Sequence, residues 1–495
     1  MVSSGVITEQ LHQINSDLKR TKSMFRFVIV AALFGVGLSL LTAADEKSVT
    51  EVAKSAHALK TTDPLPLYHA DPKHLWNRLF AALYIRKSRL PEKPGGKPVE
   101  KIEGGDIIDF LAWPRTTYWS NPETSARLNR LFDEFLKQKD SDQISDPLKR
   151  TILLRDLWAV YDFLIEQNMK RFGSLETRKR REVMCRKLAK MMSSLALTRK
   201  EISKLPDNYA AAIRSGYFDQ KHEFKSRRNY LPAGLLTQPN EWVEVDFFQP
   251  NLHEDLSNRF VTLHTRQFRG RSYFRIFYRF PGGRKQLAAY LKHLGKVGVD
   301  WKQAAQNGFI FLKKDTPQIP VGTEVALVQF MMTLDNQLRP TPTRIVESIR
   351  LRTFASVDGS EKIETNTGLG MNVIEYTLKR GLLFDGVKRG GLYREPEELP
   401  QPRVIFQPRT ARDWGTVRNK VLFQQCIDCH TTPKGTRTGV HSMPSIVNMG
   451  GFNAGAQLGI VFPLDPKLSD TRGLRAAKFK AGEETYRRLL DHLGR

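Results

Sequence analysis

The sequence is poor in cysteine, with three in 495 residues. Secreted proteins that depend on disulfides use many more, so a disulfide framework is excluded. Cys426 and Cys429 lie three residues apart, whereas Cys185 stands alone beside a run of Met and Leu. Its place on that apolar face predicts a small buried thiol and not a reactive one.

Motifs of catalytic and nucleotide-binding sites are also lacking. The chain has no G-x-G-x-x-G after a strand, no Walker motif, no H-E-x-x-H and no G-x-S-x-G. Zinc-finger, RRM-like and helix-turn-helix signatures are absent too, so no nucleic-acid partner is expected. The sequence therefore offers no catalytic residue.

Acidic residues are scarce relative to basic ones, 52 against 78, which gives a formal net charge of +26. Basic runs such as Lys179–Arg181 and Lys225–Arg228 attract anionic partners of several kinds. With nucleic acid set aside, an acidic protein or an anionic membrane surface is the expected partner. A basic, solvated surface that keeps the protein soluble is the simplest account.

Long apolar runs are limited to Phe27–Leu41, which is uncharged, follows Arg26 and precedes Ala43-Ala44 and Asp45. This order of positive flank, short apolar stretch and small residues predicts a secretory signal cleaved near Ala44. A retained anchor is the alternative, because the stretch is only slightly shorter than the ~17–25 residues that span a bilayer. Either way, the charge asymmetry places the rest of the chain outside the cytoplasm, periplasmic or exported, with membrane association as an option.

The apolar pattern between about 74 and 216 is helical, and we predict a mainly α domain over residues 45–235. Asp146-Pro147 is a good N-cap and first-turn pair, and Thr198–Glu201 is a capping box. The buried faces of the predicted helices are marked by Leu75, Leu79, Leu83, Leu153, Leu157, Val160, Tyr161, Leu164, Met184, Leu188, Met191 and Leu195.

From about 240 the period becomes two, and we predict an α+β domain with antiparallel strands over residues 236–395. One helix is expected at Arg284–Leu294, closed by Gly295. The strands are expected around Phe274–Phe280, which would pair with Phe260–Arg266 across Gly270, and at Gly308–Lys313, Thr323–Leu334 and Arg344–Phe354.

Four prolines then fall within thirteen residues, at Pro396, Pro400, Pro402 and Pro408. This composition is typical of an extended linker, which we place at residues 396–410. The chain thus divides into a leader at 1–44, the two body domains, the linker and a C-terminal unit at 411–495.

The C-terminal unit contains Cys426-Ile427-Asp428-Cys429-His430, a C-x-x-C-H pattern that indicates covalent haem attachment. Two thiols three residues apart at a helix end lie on one side, where they can form thioethers with two haem vinyl groups. The imidazole of His430 then reaches the iron from the same side. A redox dithiol, a zinc site that includes His441 and a plain disulfide are the alternatives.

Two apolar helical stripes flank the motif, and together they resemble the crossed terminal helices of a class I cytochrome c domain. The first is Trp414, Val417 and Val421, and the second is Tyr486, Leu489, Leu490 and Leu493. The resemblance covers about residues 411–495 and implies a small all-α domain with one covalent haem c. It implies that Cys426 and Cys429 are the thioether attachments and that His430 is the proximal iron ligand.

The distal ligand is less closely defined by the sequence. Met443-Pro444 resembles the Met-Pro pair of that family, although it follows His430 by only 13 residues. Met449 and His441 are the alternatives, and His492 is a further imidazole in the unit. The body could instead donate a ligand such as Met371, or the sixth position could stay open. A thioether opposite imidazole favours electron transfer, whereas an open position favours small-molecule binding.

The whole layout resembles large exported bacterial cytochrome-c-containing proteins of unassigned function. We therefore expect a mono-haem c-type cytochrome that transfers single electrons to or from a redox partner protein, with acidic character suited to the +26 charge. The alternatives are a haem-dependent oxidoreductase with its active site in the large body, and a haem-based redox or gas sensor.

Substitution of Met443 tests the predicted distal ligand. Met443→Ala is expected to remove the Met–iron band of the oxidised protein, because the thioether that produces it is lost. Met449→Ala is the matched control and should keep the band. High-spin iron with rapid carbon monoxide binding in the unsubstituted reduced protein would contradict six-coordination.

Overall fold

A computed structural model describes residues 61–91, 98–106, 108, 118–138, 144–221, 229–245, 271–297, 319–355, 371–395 and 468–495. The chain divides into two compact units, residues 1–59 and 60–495, and every described residue lies in the second. This unit combines α-helices with an antiparallel sheet, which confirms the predicted mixture of helical and α+β structure. The linker, most of the predicted haem domain and the run Phe27–Leu41 lie outside the described residues.

Helices and strands are numbered separately, each in chain order. The helices are α1 Leu75–Tyr84, α2 Pro122–Lys137, α3 Pro147–Met169, α4 Leu175–Leu195, α5 Arg199–Ser203, α6 Asn208–Arg214, α7 Gly283–Val297, α8 Arg380–Phe384, α9 Leu468–Ala481 and α10 Glu484–Asp491. The strands are β1 Ile85–Pro91, β2 Pro98–Gly104, β3 Val243–Val245, β4 Ser272–Arg279, β5 Glu324–Leu334, β6 Pro340–Phe354, β7 Met371–Leu378 and β8 Leu392–Arg394.

The predicted helix starts at α3 and α5 are confirmed. The carboxylate of Asp146 accepts hydrogen bonds from the backbone N–H groups of Leu148 and Lys149, and Pro147 occupies the first turn. Thr198 and Glu201 form the reciprocal capping box that opens α5. Hydrogen bonds from the side chain and backbone of Thr198 lower the pKa of Glu201, since they stabilise its charged form. Local capping chemistry thus sets both helix starts.

Two predicted boundaries are wrong. Helix α7 runs to Val297, so Gly295 does not end it; a glycine inside a helix costs only about 1 kcal/mol unless the chain turns there. Strand β6 begins at Pro340, four residues before Arg344. The early strand residues pair where the register with β5 shifts, and such bulges accommodate proline within a sheet. The predicted runs Phe260–Arg266 and Gly308–Lys313 lie outside the described residues.

Strands β3 to β8 form one six-stranded sheet in chain order, with every neighbouring pair antiparallel. One face of the sheet carries the apolar core. Helix α6 packs on this face through Tyr209 and Ala212, against a cluster that includes Trp242, Phe277, Val328, Ile349 and Tyr376. A separate hairpin of β1 and β2 follows α1.

The opposite face of the sheet is also buried, and it carries polar and charged side chains among its apolar ones. The Glu347 carboxylate accepts hydrogen bonds from Arg155, from the Ser272 hydroxyl at 2.6 Å and from the Gln329 amide at 2.6 Å. Farther across the sheet, Arg350 Nε donates to Glu375 Oε1 at 3.0 Å. Burial of a polar or charged group is costly unless the group is hydrogen-bonded or paired. The element that covers this face must therefore carry charged side chains of its own.

Helix α3 supplies that charge. It is buried on nearly all sides, yet carries three fully buried ions: Arg155, Asp156 and Asp162. Arg155 pairs with Glu347, Asp156 accepts from Arg380 Nε at 3.0 Å, and Asp162 accepts from Arg271 Nη1 at 2.9 Å and Lys480 Nζ at 3.1 Å. The regions predicted as a helical domain and an α+β domain therefore pack directly on each other through ion pairs.

Within the described residues, no helix has both the length and the apolar character needed to cross a membrane.

Loss of one buried charge on α3 is expected to be costly. Asp156→Ala leaves Arg380 buried without its carboxylate, and the free energy of unfolding should fall by about 3–5 kcal/mol. Urea denaturation measures this change. The control is Glu134→Ala, which breaks an exposed pair with Arg78 and should cost no more than about 1 kcal/mol. Equal losses in the two variants would contradict a structural role for the buried pair.

Candidate functional site

The predicted haem-binding residues all lie between residues 396 and 467, outside the described part of the chain. They are Cys426, Cys429, His430, Met443, Met449 and His441. The structure does describe where this segment begins and ends. It also describes two other residues, Cys185 and His492, that could compete for the same chemistry.

The segment begins at the edge strand of the sheet. Strand β8 pairs with β7, and the next residue, Glu395, is buried. The backbone N–H of Glu395 donates to the Glu375 carbonyl at 2.8 Å, and its carboxylate accepts a hydrogen bond from the Thr377 hydroxyl. The last described residue before the haem segment is thus fixed by both its backbone and its side chain.

The segment ends at α9, which packs on β4 and β6. Arg472 Nε lies 2.7 Å from Glu244 Oε1 on β3. Gly473 lies against the strands so closely that an added Cβ would sit 2.7 Å from the Cβ of Pro342. Lys480, fully buried, reaches Asp162 of α3. The described residues on both sides of the segment with the haem motif are therefore fixed to the body.

The last helix, α10, confirms the predicted apolar stripe as helical from Tyr486 to Leu490, whereas Leu493 lies in the turn after it. Tyr486 and Leu489 are buried, and the Tyr486 hydroxyl donates to the Leu338 carbonyl at 3.0 Å. The described contacts of α10 are with α3, α4 and α9 of the body. The helix near Trp414 that the cytochrome resemblance places across it lies outside the described residues.

His492, which follows α10, uses both ring nitrogens within the body. The Tyr161 hydroxyl lies 3.1 Å from His492 Nδ1, and burial raises the pKa of Tyr161 well above its usual value, so this hydroxyl stays protonated. On the other side of the ring, His492 Nε2 lies 2.8 Å from Glu182 Oε1. Iron ligation by His492 would break one of these bonds, which favours the other ligand candidates.

Cys185 is fully buried on the Met and Leu face of α4, as the sequence predicts. Burial raises the pKa of this thiol well above its usual value, because the apolar surroundings disfavour the thiolate. A protonated, inaccessible thiol is a poor nucleophile and cannot reach a partner cysteine. Cys426 and Cys429 are therefore the two thiols of this chain that remain for thioether chemistry.

A basic cleft is the concave site within the described residues that the sequence reasoning missed. Its volume is about 580 Å³, and its walls come from the end of α6 and from the turn at residues 386–389. Arg389 lies over the Tyr217 ring, 3.6 Å from its centroid, and Lys388 pairs with Asp385. Within the described residues, Arg214 and Arg389 have no acidic partner. The cleft can attract a carboxylate or another anion.

The backbone of this cleft is held in a conformation that few residues adopt. Val387 and Arg389 have φ values of 56° and 50°, which are outliers for side chains of this size. Gly390, at φ 65°, packs against α6, where an added Cβ would meet the Asn208 carbonyl at 2.1 Å. The Asn208 amide in turn donates to the Gly390 and Val346 carbonyls. The corresponding sequence, Gly386-Val-Lys-Arg-Gly-Gly391, predicts a turn but not a cleft.

No metal geometry or relative identifies the site by itself. Within the described ranges, no group of three or more His, Cys, Asp or Glu side chains is placed to hold a metal ion. Comparison with known proteins matches no family model, no curated protein and no solved structure. The function must therefore be inferred from the haem-motif residues and the body that holds their segment.

Two glycines that both have a positive φ angle, Gly390 and Gly216, test the packing of the cleft. Gly390→Ala should lose about 1–2 kcal/mol for a left-handed alanine and about 1–3 kcal/mol more for the clash with α6. Gly216→Ala, at φ 68° with open space around its Cβ, should lose only the first amount. Urea denaturation of the two variants measures the difference. Equal losses would show that α6 moves away from the turn.

Proposed function

We propose that this chain is an exported mono-haem c-type cytochrome that transfers single electrons. The observation that carries the proposal is the donor set Cys426, Cys429 and His430 at C-x-x-C-H spacing. The two thiols would hold the haem through thioethers, His430 would ligate the iron, and Met443 would complete the coordination. A bound haem supplies one reversible electron at a potential that its ligands set.

The state of the third cysteine supports this use of the pair. If Cys185 were exposed, it could exchange disulfides with Cys426 or Cys429 and take either away from haem. Because it is buried and protonated, no such exchange competes. The chemistry of the donor set therefore fits a thioether-bound haem better than a disulfide-exchange site.

The fixed residues that flank the haem segment also support a redox role. Sites are more precise when they are attached to rigid elements whose side chains are locked by packing. Glu395, before residues 396–467, bonds to the sheet, and Arg472 and Lys480, after them, pair with Glu244 and Asp162. The large body is thus proposed to act as a scaffold for the cofactor segment.

The expected redox partner is an acidic protein. The net charge of +26 favours encounter with a negatively charged surface by long-range attraction. The basic cleft, with Arg214 and Arg389, offers guanidinium groups that are not consumed by internal pairs among the described residues. Attraction between these guanidinium groups and acidic residues of a partner would affect the rate and orientation of encounter more than the affinity.

A series of cysteine variants tests the proposed attachment. In the full chain made with haem-maturation machinery, Cys426→Ala/Cys429→Ala should lose all haem that survives a denaturing gel, because no thioether can form. Cys185→Ala is the control, and it should keep the haem at full stoichiometry while losing about 1 kcal/mol of stability from its buried site. The measurement is the pyridine-haemochrome spectrum.

Two outcomes would contradict the proposal. Retention of covalent haem by the double variant would remove the assigned attachment residues. Substrate turnover by the haem-loaded protein that His430→Ala abolishes would point to the oxidoreductase alternative. The cytochrome proposal expects instead a one-electron redox titration without turnover of candidate donors.

A further inference from the structure

The turn between α3 and α4 exposes an unusual amount of apolar surface. Met169, Phe172 and Leu175 are 40%, 40% and 60% exposed. Every residue from 169 to 176 is exposed, so the turn projects from the body. Of the seven large apolar side chains exposed among the described residues, these three and Val183 on α4 belong to this one region. We call Met169–Glu176 the apical turn.

The apical turn is held by specific hydrogen bonds. The Phe172 N–H donates to the Gln167 carbonyl at 3.0 Å, and Arg181 Nη1 donates to the Phe172 carbonyl at 2.6 Å. Gly173, at φ 83°, reverses the chain, and the Ser174 hydroxyl caps α4. The exposed apolar side chains are therefore presented by an ordered backbone.

Basic residues surround these apolar side chains. Residues 166–187 contain eight Lys and Arg against three Glu, a difference of +5. Each Glu is already paired with a basic residue of its own helix region: Glu166 with Lys170, Glu176 with Arg180, and Glu182 with Arg186. Arg171 and Lys179 have no acidic partner within the described residues. Arg181 is buried and Lys187 pairs with Asp133 of α2, so Arg171 and Lys179 are the exposed basic side chains left for an outside anionic surface.

We propose that the apical turn is a membrane-binding site that takes an anionic phospholipid surface. Its apolar side chains enter the boundary between headgroups and acyl chains, and its Lys and Arg contact lipid phosphates. Interfacial membrane segments combine the same two features, an apolar face and a basic rim. The site depends on neither the haem nor the run Phe27–Leu41.

The shape and charge of the turn favour lipid over protein occupants. A projecting turn offers no pocket for a partner side chain, whereas a fluid bilayer needs no complementary shape. A second copy of this chain would bring two positively charged surfaces together, which is unfavourable. Charge complementarity with an anionic bilayer satisfies the apolar and the basic residues at once.

Vesicle sedimentation of the full chain tests this site. The vesicles contain phosphatidylcholine alone or with about 30% phosphatidylglycerol. Met169→Ser/Phe172→Ser/Leu175→Ser should lower partitioning onto the anionic vesicles at least ~tenfold, since burial of even one such side chain is worth about that factor. Leu474→Ser, which changes an equally exposed leucine on α9, should leave partitioning unchanged.

A second variant and a local probe separate the turn from other membrane contacts. Arg171→Glu/Lys179→Glu should weaken binding to anionic vesicles only, and the difference should shrink at high salt. An environment-sensitive fluorophore on Leu175→Cys should brighten and shift to the blue with anionic vesicles, while the same label on Leu474→Cys should not. Because the label reports its own surroundings, insertion of Phe27–Leu41 does not mimic the result.

The outcomes decide between occupants. Unchanged partitioning by the triple variant together with a silent label at position 175 overturns the proposal. A triple variant that loses self-association in sedimentation velocity, with vesicle binding intact, assigns the turn to a second copy instead. Loss of binding to polyglutamate without loss of vesicle binding assigns it to an acidic protein. An unchanged urea midpoint shows that each variant is folded.

Discussion

The pairing of the buried charges on α3 is the constraint on which the rest of the structure depends. A helix enclosed on all sides cannot leave its ions to water, and an unmatched buried ion costs several kcal/mol. Arg155, Asp156 and Asp162 therefore require partners, and they find them 192, 224 and 318 residues away in sequence. The polar face of the sheet, α8 and α9 are consequently placed relative to the same helix.

The same pairing fixes described residues on both sides of the predicted haem segment. Arg380 stands shortly before β8 and Lys480 stands within α9, so the two residues lie on either side of the segment 396–467. Both are fully buried and both pair with α3. The proposed cofactor segment therefore lies in sequence between two residues that both pair with one helix. Under the proposed function, the large body provides rigid support for that segment.

Features of the fold that depend on local sequence patterns could be predicted. Features that depend on pairing between residues far apart in sequence could not. The caps at Asp146 and Thr198 depend on neighbours within three residues, and the structure confirms both. Charged strand residues such as Glu347 and Arg350 of β6 would ordinarily be expected in solvent, yet α3 and the strand pairs bury them. Only the partner residues, far away in sequence, reveal that such charges lie inside. The haem-motif residues stay a prediction from spacing, since they lie outside the described part of the chain.

The balance of charge between the interior and the surface explains why both proposed contacts with anionic partners involve the outer surface. The network around α3 contains four basic and three acidic side chains, Arg155, Arg271, Arg380 and Lys480 against Asp156, Asp162 and Glu347, a net of +1. Nearly all of the +26 charge must therefore lie elsewhere in the chain. Acidic residues near the apical turn are paired locally, and Arg214 and Arg389 of the cleft have no acidic partner among the described residues. An interior that matches its charges and a surface that does not support the proposals of an acidic redox partner and an anionic membrane surface.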